Sequence, residues 1–256
     1  TKTPRQMMQL VNYVMCFLWC VVGSIHGTAS ASQPKLCPPL PTTIRLNSTN
    51  HIAITREIDE KLTGEFLYTL NKIDAKKKVY VYLDTPGGSV QHGAKIVAQI
   101  RKHKMSCIAE RAHSMGFVIF QACFRRYVLS HSSLMQHQMS YGIQNEKGKV
   151  DSYVEFVNSL EEDLVATQAL RIGITNDEFR TRIMNDWWLY GSQAVRKNCA
   201  DAVVDLTCTP ELTKKNVSHV RGGYTYTYSR CPLIGTYINK QRNEKQDSVL
   251  EKIVFI

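Results

Sequence analysis

Ser114, His137 and Asp186 are residues of the three types that cooperate in nucleophilic catalysis, and they occur in that order along the chain. A serine hydroxyl is a poor nucleophile until a base removes its proton, and that base needs an acid to orient it. A chain of 256 residues contains many residues of these types, so the local context of each one has to carry the argument.

Ser114 stands where a predicted strand ends and the apolar run from Met115 to Phe124 begins as a predicted helix. A helix N-terminus presents unpaired N–H groups and the positive end of the helix dipole, which favour negative charge nearby. The Met115 N–H is therefore a candidate donor to an oxyanion. The competing interpretation is that Ser114 only caps the helix.

Gly87 and Gly88 lie in the run Thr-Pro-Gly-Gly-Ser between a predicted strand and a predicted helix. Two glycines let the backbone approach a ligand closely and expose N–H groups, which could stabilise an oxyanion. A tight strand-to-helix turn is the alternative. No Gly-Lys-Ser or Gly-Lys-Thr follows, so the pattern does not indicate a nucleotide phosphate loop.

His137 ends a short apolar strand, where a histidine is either structural or a catalytic base. Asp186 precedes two tryptophans, so the sequence predicts a carboxylate partly screened from water that orients a histidine or caps a helix near Ser192. Other residues of the same types compete for both roles. The rival bases are His113 and His131, and the rival acids are Asp177 and Asp201.

Alternating elements must position these residues. Apolar residues at three- and four-residue spacing predict helices over 58–73, 90–100, 115–124 and 150–170. Runs of β-forming residues predict strands over 51–55, 78–83, 105–109, 127–129 and 133–136, and a tyrosine-rich strand over 222–230. Strands alternating with helices indicate an α/β domain with a largely parallel sheet.

The N-terminal segment has the order of features found in targeting sequences. Lys2 and Arg5 precede an apolar stretch over 7–25, which small residues follow at 29–31. This layout predicts a secretory signal peptide or a membrane anchor, with an organelle-targeting peptide as a third option. The localisation expected is therefore membrane-associated, secretory or organellar, and a proline-rich linker follows over 32–50.

The net charge limits the classes of partner. It is +10, but the basic residues are scattered and no nucleic-acid motif accompanies them, so we expect a solvated surface and no bound nucleic acid.

Six cysteines follow the N-terminal segment, and this even number permits disulfides. Cys107 and Cys123 lie in apolar runs and are predicted to be small core residues. The sequence predicts no metal site and no cofactor.

The motifs from residue 51 to about residue 210 together resemble the ClpP family of serine peptidases. The resemblance implies that Ser114 is the nucleophile, His137 the base and Asp186 the orienting acid, with the Gly88 and Met115 N–H groups as the oxyanion hole. It is carried by Pro86-Gly87-Gly88-Ser89-Val90, Gly93, Ser114-Met115-Gly116, His137-Gln138, the helix over 150–171, Gly173, Asn185-Asp186, Ala194 and Ala202-Val203-Val204-Asp205.

The same resemblance implies a fold and an assembly. It implies a crotonase-like β/α spiral with a long protruding helix, assembled into homo-oligomeric rings, usually of seven, that stack face to face. The loop over 140–149 and the long helix would form the contact between rings. Peptides or unfolded proteins would be the substrates, and an AAA+ ATPase would be the partner that feeds the ring.

The sequence predicts four regions and leaves alternatives to peptide hydrolysis open. The regions are 1–31, the targeting or anchoring segment; 32–50, the linker; 51–210, the ClpP-like domain; and 211–256, a C-terminal extension with the tyrosine-rich strand. The family usually has small residues just before the nucleophile, where this chain has His113, and an apolar residue before the histidine, where this chain has Gln136. The alternatives are a catalytically inactive structural subunit, a membrane-tethered processing peptidase and, with least support, a crotonase-type acyl-CoA enzyme.

Overall fold

The central sheet of the protein is mainly parallel, as the alternation of elements predicts. A computed structural model describes residues 42–73, 78–235 and 237–243. Its strands are β2 (His51–Ile54), β3 (Tyr80–Thr85), β4 (Ser106–His113), β5 (Arg126–Gln136), β6 (Trp187–Tyr190) and β7 (Ala202–Val203). The order β2-β3-β4-β5-β6 runs across the sheet, and β7 pairs with β5. Strands β2 to β5 are parallel, and β6 is antiparallel to β5.

Helices connect these strands and cover the sheet. α1 (Glu60–Lys72) begins after Asp59, whose carboxylate accepts a hydrogen bond from the Leu62 N–H at 2.6 Å. α4 (Lys147–Ile172) covers the predicted helix over 150–170 and is capped by Gly173, which has a left-handed φ of 81°. The helices are α1 (Glu60–Lys72), α2 (Val90–Lys102), α3 (Met115–Gln121), α4 (Lys147–Ile172), α5 (Asn176–Ile183), α6 (Ser192–Arg196) and α7 (Pro210–Lys214).

Two predicted boundaries differ from the structure. The strands predicted over 127–129 and 133–136 are one continuous strand, β5, which includes the exposed residues Ser130 and His131. The register of β5 with β4 shifts at this place, so both parts of β5 pair with the same neighbouring strand. The segment predicted as a linker over 32–50 includes β1 (Thr43–Leu46), which pairs in parallel with β8 (Asp205–Cys208). The buried side chains of Ile44 and Leu46 anchor this strand.

The C-terminal extension contains a separate three-stranded antiparallel sheet. Its order is β11-β10-β9, with β9 over Asn216–Arg221, β10 over Tyr224–Ser229 and β11 over Tyr237–Arg242. The tyrosine-rich strand β10 is therefore the central strand of this sheet. The Lys240 ammonium lies 4.2 Å from the centre of the Tyr224 ring, so one face of this sheet combines aromatic and cationic groups.

Two disulfides join parts of the fold. Cys208 pairs with Cys231 and ties β8 to the segment that follows β10. Cys107 pairs with Cys123, so the prediction that these two are simple core residues is wrong, although both side chains are buried. Their Cα atoms are 5.8 Å apart because α3 brings the chain back to the start of β4. Burial raises the pKa of the free Cys199 thiol to about 12.

Several predictions fall on parts of the chain that the structure does not describe. The targeting segment over 1–31, most of the linker and the end of the C-terminal extension lie outside the described residues. Within residues 42–73, 78–235 and 237–243, no helix has both the length and the apolar character needed to cross a bilayer.

Candidate active site

Ser114 occupies a strained turn between β4 and α3. Its φ of 53° and ψ of −120° are rare for a residue with a side chain, and such conformations concentrate at functional sites. The Ser114 N–H donates to the Met135 carbonyl at 2.9 Å, which fixes the turn to the neighbouring strand. Although Ser114 is at the N-cap position, its side chain makes no capping hydrogen bond. Its hydroxyl is therefore not committed to the helix.

His137 lies within hydrogen-bond distance of this hydroxyl. Its Nε2 is 2.8 Å from the Ser114 Oγ. The parallel register of β4 and β5 pairs His113 with Met135. The residues that follow these two strands, Ser114 and His137, therefore come close together. For the hydroxyl to donate to Nε2, the imidazole must be neutral with its proton on Nδ1. The pair then has the arrangement of a nucleophile beside its general base.

The Gly87-Gly88 turn lies directly against Ser114. A Cβ atom on Gly87 would lie 2.7 Å from the Ser114 Cβ and 2.7 Å from the His113 carbonyl oxygen. The φ angles of Gly87 and Gly88, 103° and 138°, also require glycine. Neither the Gly88 N–H nor the Met115 N–H donates a hydrogen bond to another residue within the described ranges. Both residues line the same cleft as Ser114, as an oxyanion hole would require.

A cleft with about 570 Å³ of empty space opens beside the Ser114–His137 pair. Side chains of α4 and α5 contribute an apolar wall, which suits an apolar group of a ligand. The lining residues are Gly88, Val90, Ser114, Met115, Val118, Gln136, His137, Gln138, Met139, Ser140, Glu161, Leu164, Val165, Gln168, Phe179 and Ile183.

Asp186 is not brought to His137 in this structure. No hydrogen bond joins the two side chains among those of the described residues, and Asp186 is exposed, although the sequence predicted partial screening. Its φ of 55° places it in a strained turn just before β6. Gly191 holds the N-cap position of α6, so Asp186 does not cap that helix either.

The rival residues of the same types are engaged elsewhere. The His113 ring contacts the Ser133 hydroxyl and the edge of Trp188, and burial lowers the pKa of His113. His131 lies 3.7 Å from a Glu110 carboxylate oxygen. Of the rival acids, Asp201 lies 2.7 Å from the buried Arg126 guanidinium, and Asp177 is exposed in the first turn of α5. The hydrogen bond to Ser114 thus distinguishes His137 from both rival histidines.

One residue next to the site was not singled out from the sequence. Gln168 is buried on α4, and its Oε1 accepts a hydrogen bond from the Gln136 Nε2 at 2.8 Å. It lies four residues after Leu164, on the apolar side of the helix, and a glutamine at such a position was the available signal. Among the described residues, no cluster of His, Cys, Asp and Glu side chains has the makings of a metal site.

Comparisons of the sequence relate this chain to known proteins. Residues 41–207 match the family model described as Clp protease. The chain belongs to the Clp protease family. Its relatives include the ATP-dependent Clp protease proteolytic subunit 2 of Synechococcus sp. (strain CC9605), 27% identical over 60% of this chain and 80% of that protein. The subunit 2 proteins of Thermobifida fusca (strain YX), at 28% over 61% of this chain and 78% of that protein, and of Pseudomonas aeruginosa, at 25% over 60% and 80%, are similar.

Membership in the Clp protease family accounts for the mixed α/β fold and confirms the family that the motifs predicted. The matched residues contain the glycine turn, Ser114, His137 and Asp186. The tyrosine-rich sheet from β9 to β11 lies after the matched residues, so it is an addition to the family domain.

Proposed function

We propose that this chain is a serine endopeptidase that hydrolyses peptide bonds in unfolded polypeptides. The observation that carries the proposal is the 2.8 Å contact between the Ser114 Oγ and the His137 Nε2, in a cleft that the Gly88 and Met115 backbones also line. Clp protease family membership supports the same reaction class.

In the proposed reaction, His137 accepts the Ser114 proton while the Ser114 oxygen attacks the carbonyl carbon of the peptide bond. The N–H groups of Gly88 and Met115 stabilise the oxyanion that forms. His137 then donates its proton to the leaving amine, which breaks the C–N bond and leaves an acyl-enzyme. A water molecule activated by His137 hydrolyses that ester and regenerates Ser114.

Asp186 is the proposed orienting acid for His137. A carboxylate that accepts from Nδ1 would hold the imidazole in the tautomer needed at Nε2 and stabilise the imidazolium. Because no hydrogen bond joins Asp186 to His137 among the described residues, the proposal requires a movement that brings the exposed Asp186 carboxylate to Nδ1.

The proposed assembly follows from the family resemblance. We infer a crotonase-like β/α spiral whose long helix α4 protrudes, with homo-oligomeric rings of seven that stack in pairs. The relatives are named as ATP-dependent proteolytic subunits, so an AAA+ ATPase is the proposed partner. The regions 1–31, 32–50, 51–210 and 211–256 remain proposals. The two disulfides favour an oxidising compartment, in keeping with the proposed secretory or membrane-associated location.

A catalytically inactive structural subunit is the second candidate function. The exposure of Asp186 and the absence of its bond to His137 among the described residues favour it. In that case the chain would contribute surfaces to a mixed ring and leave peptide hydrolysis to another subunit.

Hydrolysis of an unfolded, fluorescently quenched protein separates the two candidates. The purified oligomer should cleave it, and Ser114→Ala should reduce the rate to background, a loss of at least ~10³-fold. Ser133→Ala is the matched control, because that hydroxyl contacts His113 and not His137. Asp186→Asn should cost ~10²- to 10⁴-fold if Asp186 orients His137. An assembled oligomer without activity, or activity that survives Ser114→Ala, would favour the structural subunit.

A further inference from the structure

A chain of three hydrogen bonds connects the backbone of His137 to the long helix α4. The His137 N–H donates to the Gln136 Oε1 at 3.3 Å, and the Gln136 Nε2 donates to the Gln168 Oε1 at 2.8 Å. The Gln168 Nε2 in turn donates to the Leu164 carbonyl at 2.9 Å. Both glutamine side chains are buried, at 6% and 2% exposure, so water does not compete strongly for these bonds.

Gln136 is the last residue of β5 and stands between Met135 and His137, the two residues that contact Ser114. The Met135 carbonyl accepts from the Ser114 N–H at 2.9 Å, and the His137 ring contacts the Ser114 hydroxyl. The end of β5 thus holds the nucleophile from two sides, while the side chain between these contacts points to α4. A displacement of Gln136 would move both contacts together.

The carboxylate expected to orient His137 does not contact it in this structure, since Asp186 is exposed and no bond joins the two. The described hydrogen bonds of His137 are therefore the contact of its ring with the Ser114 hydroxyl and the bond from its N–H to the Gln136 side chain. The ClpP-like pattern has an apolar residue where this chain has Gln136. An apolar side chain packs without direction, whereas a buried amide pair fixes distance and angle.

We propose that Gln136 is a positioning residue, which with Gln168 fixes the end of β5 to α4 and so sets the Ser114–His137 geometry. This inference rests on the proposed function, because it assigns a role in the reactivity of the same serine. It makes reactivity dependent on where α4 lies, since the Gln168 amide is anchored to the Leu164 carbonyl of that helix.

The test is the rate at which a fluorophosphonate phosphonylates Ser114, with loss of fluoride, in the intact oligomer, measured from pH 5 to pH 9. The variants are Gln136→Met, Gln168→Met and the double variant, because methionine keeps the length and flexibility of glutamine while removing its hydrogen bonds. The rate constant reports positioning, and the final stoichiometry of labelling reports the fraction of folded sites.

Each single variant should label completely but about ten-fold more slowly, because it leaves a buried amide without its partner. The double variant should be close to either single one, and well short of the ~100-fold loss expected if the two residues acted independently. The pH at half-maximal rate should also shift in Gln136→Met, since the surroundings of His137 change. Gln121→Met is the matched control, because Gln121 is also a buried amide with both of its groups bonded, to the Cys199 carbonyl and the Arg126 guanidinium, and its loss should leave the rate constant unchanged.

The outcomes separate this inference from the proposed function. An unmodified chain that does not label at Ser114 overturns the proposed function and this inference with it. Labelling of the unmodified chain combined with unchanged rates and pH profiles in the glutamine variants overturns this inference alone. Additive losses, or losses seen only as lower stoichiometry with the rate constant preserved, also contradict a positioning role.

Discussion

Replacing Gly87 by alanine should both slow the reaction of Ser114 and destabilise the fold. The added Cβ would lie 2.7 Å from both the Ser114 Cβ and the His113 carbonyl oxygen, about 0.7 Å closer than the 3.4 Å at which ordinary contact begins. The φ of 103° is also unfavourable for any residue with a Cβ. Backbone strain of roughly 1–2 kcal/mol and crowding of roughly 1–3 kcal/mol together predict a loss of about 2–5 kcal/mol.

We expect the Ser114 turn to move away from the added Cβ, because both close contacts are with atoms of that turn. Displacements approaching 1 Å at reacting groups cost about 10²-fold in rate. The rate at which a fluorophosphonate phosphonylates Ser114 in Gly87→Ala should therefore fall about 100-fold at full labelling, while urea unfolding gives the loss of stability. Gly64→Ala is the matched control, since nothing lies within 4 Å of its added Cβ in α1, and it should be stabilised by about 0.5–1 kcal/mol. A Gly87→Ala variant that labels at the unmodified rate would refute this reasoning.

Three further predictions concern stability, measured by urea unfolding. Asp201→Asn should lose about 3–5 kcal/mol, because it leaves the buried Arg126 guanidinium without its counter-ion. Cys107→Ala with Cys123→Ala should lose about 2–4 kcal/mol, because the reduced chain gains entropy when unfolded. Burial lowers the pKa of His51 in the folded protein below its ordinary value of 6.5. As the pH falls through 6.5, His51 of the unfolded chain therefore binds a proton before His51 of the folded chain does. Stability should therefore decrease below that pH, and His51→Gln should weaken the dependence.

Each of these predictions has a control and a contradicting result. Asp177→Asn changes an exposed carboxylate and should stay within about 0.5 kcal/mol of the unmodified chain. Cys199→Ala removes a buried free thiol and should lose less than the disulfide variant. Equal losses in the members of either pair would contradict the stated causes. Between pH 7 and pH 5, an unchanged slope in His51→Gln would show that other groups set the pH dependence.

Local sequence patterns were sufficient to predict the elements that carry Ser114 and His137. The strand-to-helix junction at Ser114 follows from the change of periodicity near residue 114, and the end of β5 follows from an apolar run. Gly87 was predicted to let the backbone approach closely, and it lies against Ser114. These features depend on spacing within a few residues, which a single sequence displays directly.

Features that depend on distant parts of the chain were not predictable in the same way. The pairing of Cys107 with Cys123 requires α3 to fold back onto β4, and β1 becomes a strand only because β8 lies beside it. The exposure of Asp186 follows from its own left-handed turn, which the two following tryptophans do not reveal. The bond between Gln136 and Gln168 joins positions 32 residues apart, and neither position indicates the other.

The site of covalent labelling by a fluorophosphonate tests the central claim most directly. Intact-mass analysis of the assembled protein followed by peptide mapping should show one adduct per chain, on Ser114, and His137→Ala should slow its formation by at least ~100-fold. An adduct on another serine, a Ser114 adduct whose rate does not depend on His137, or no adduct in an assembled oligomer would contradict the account.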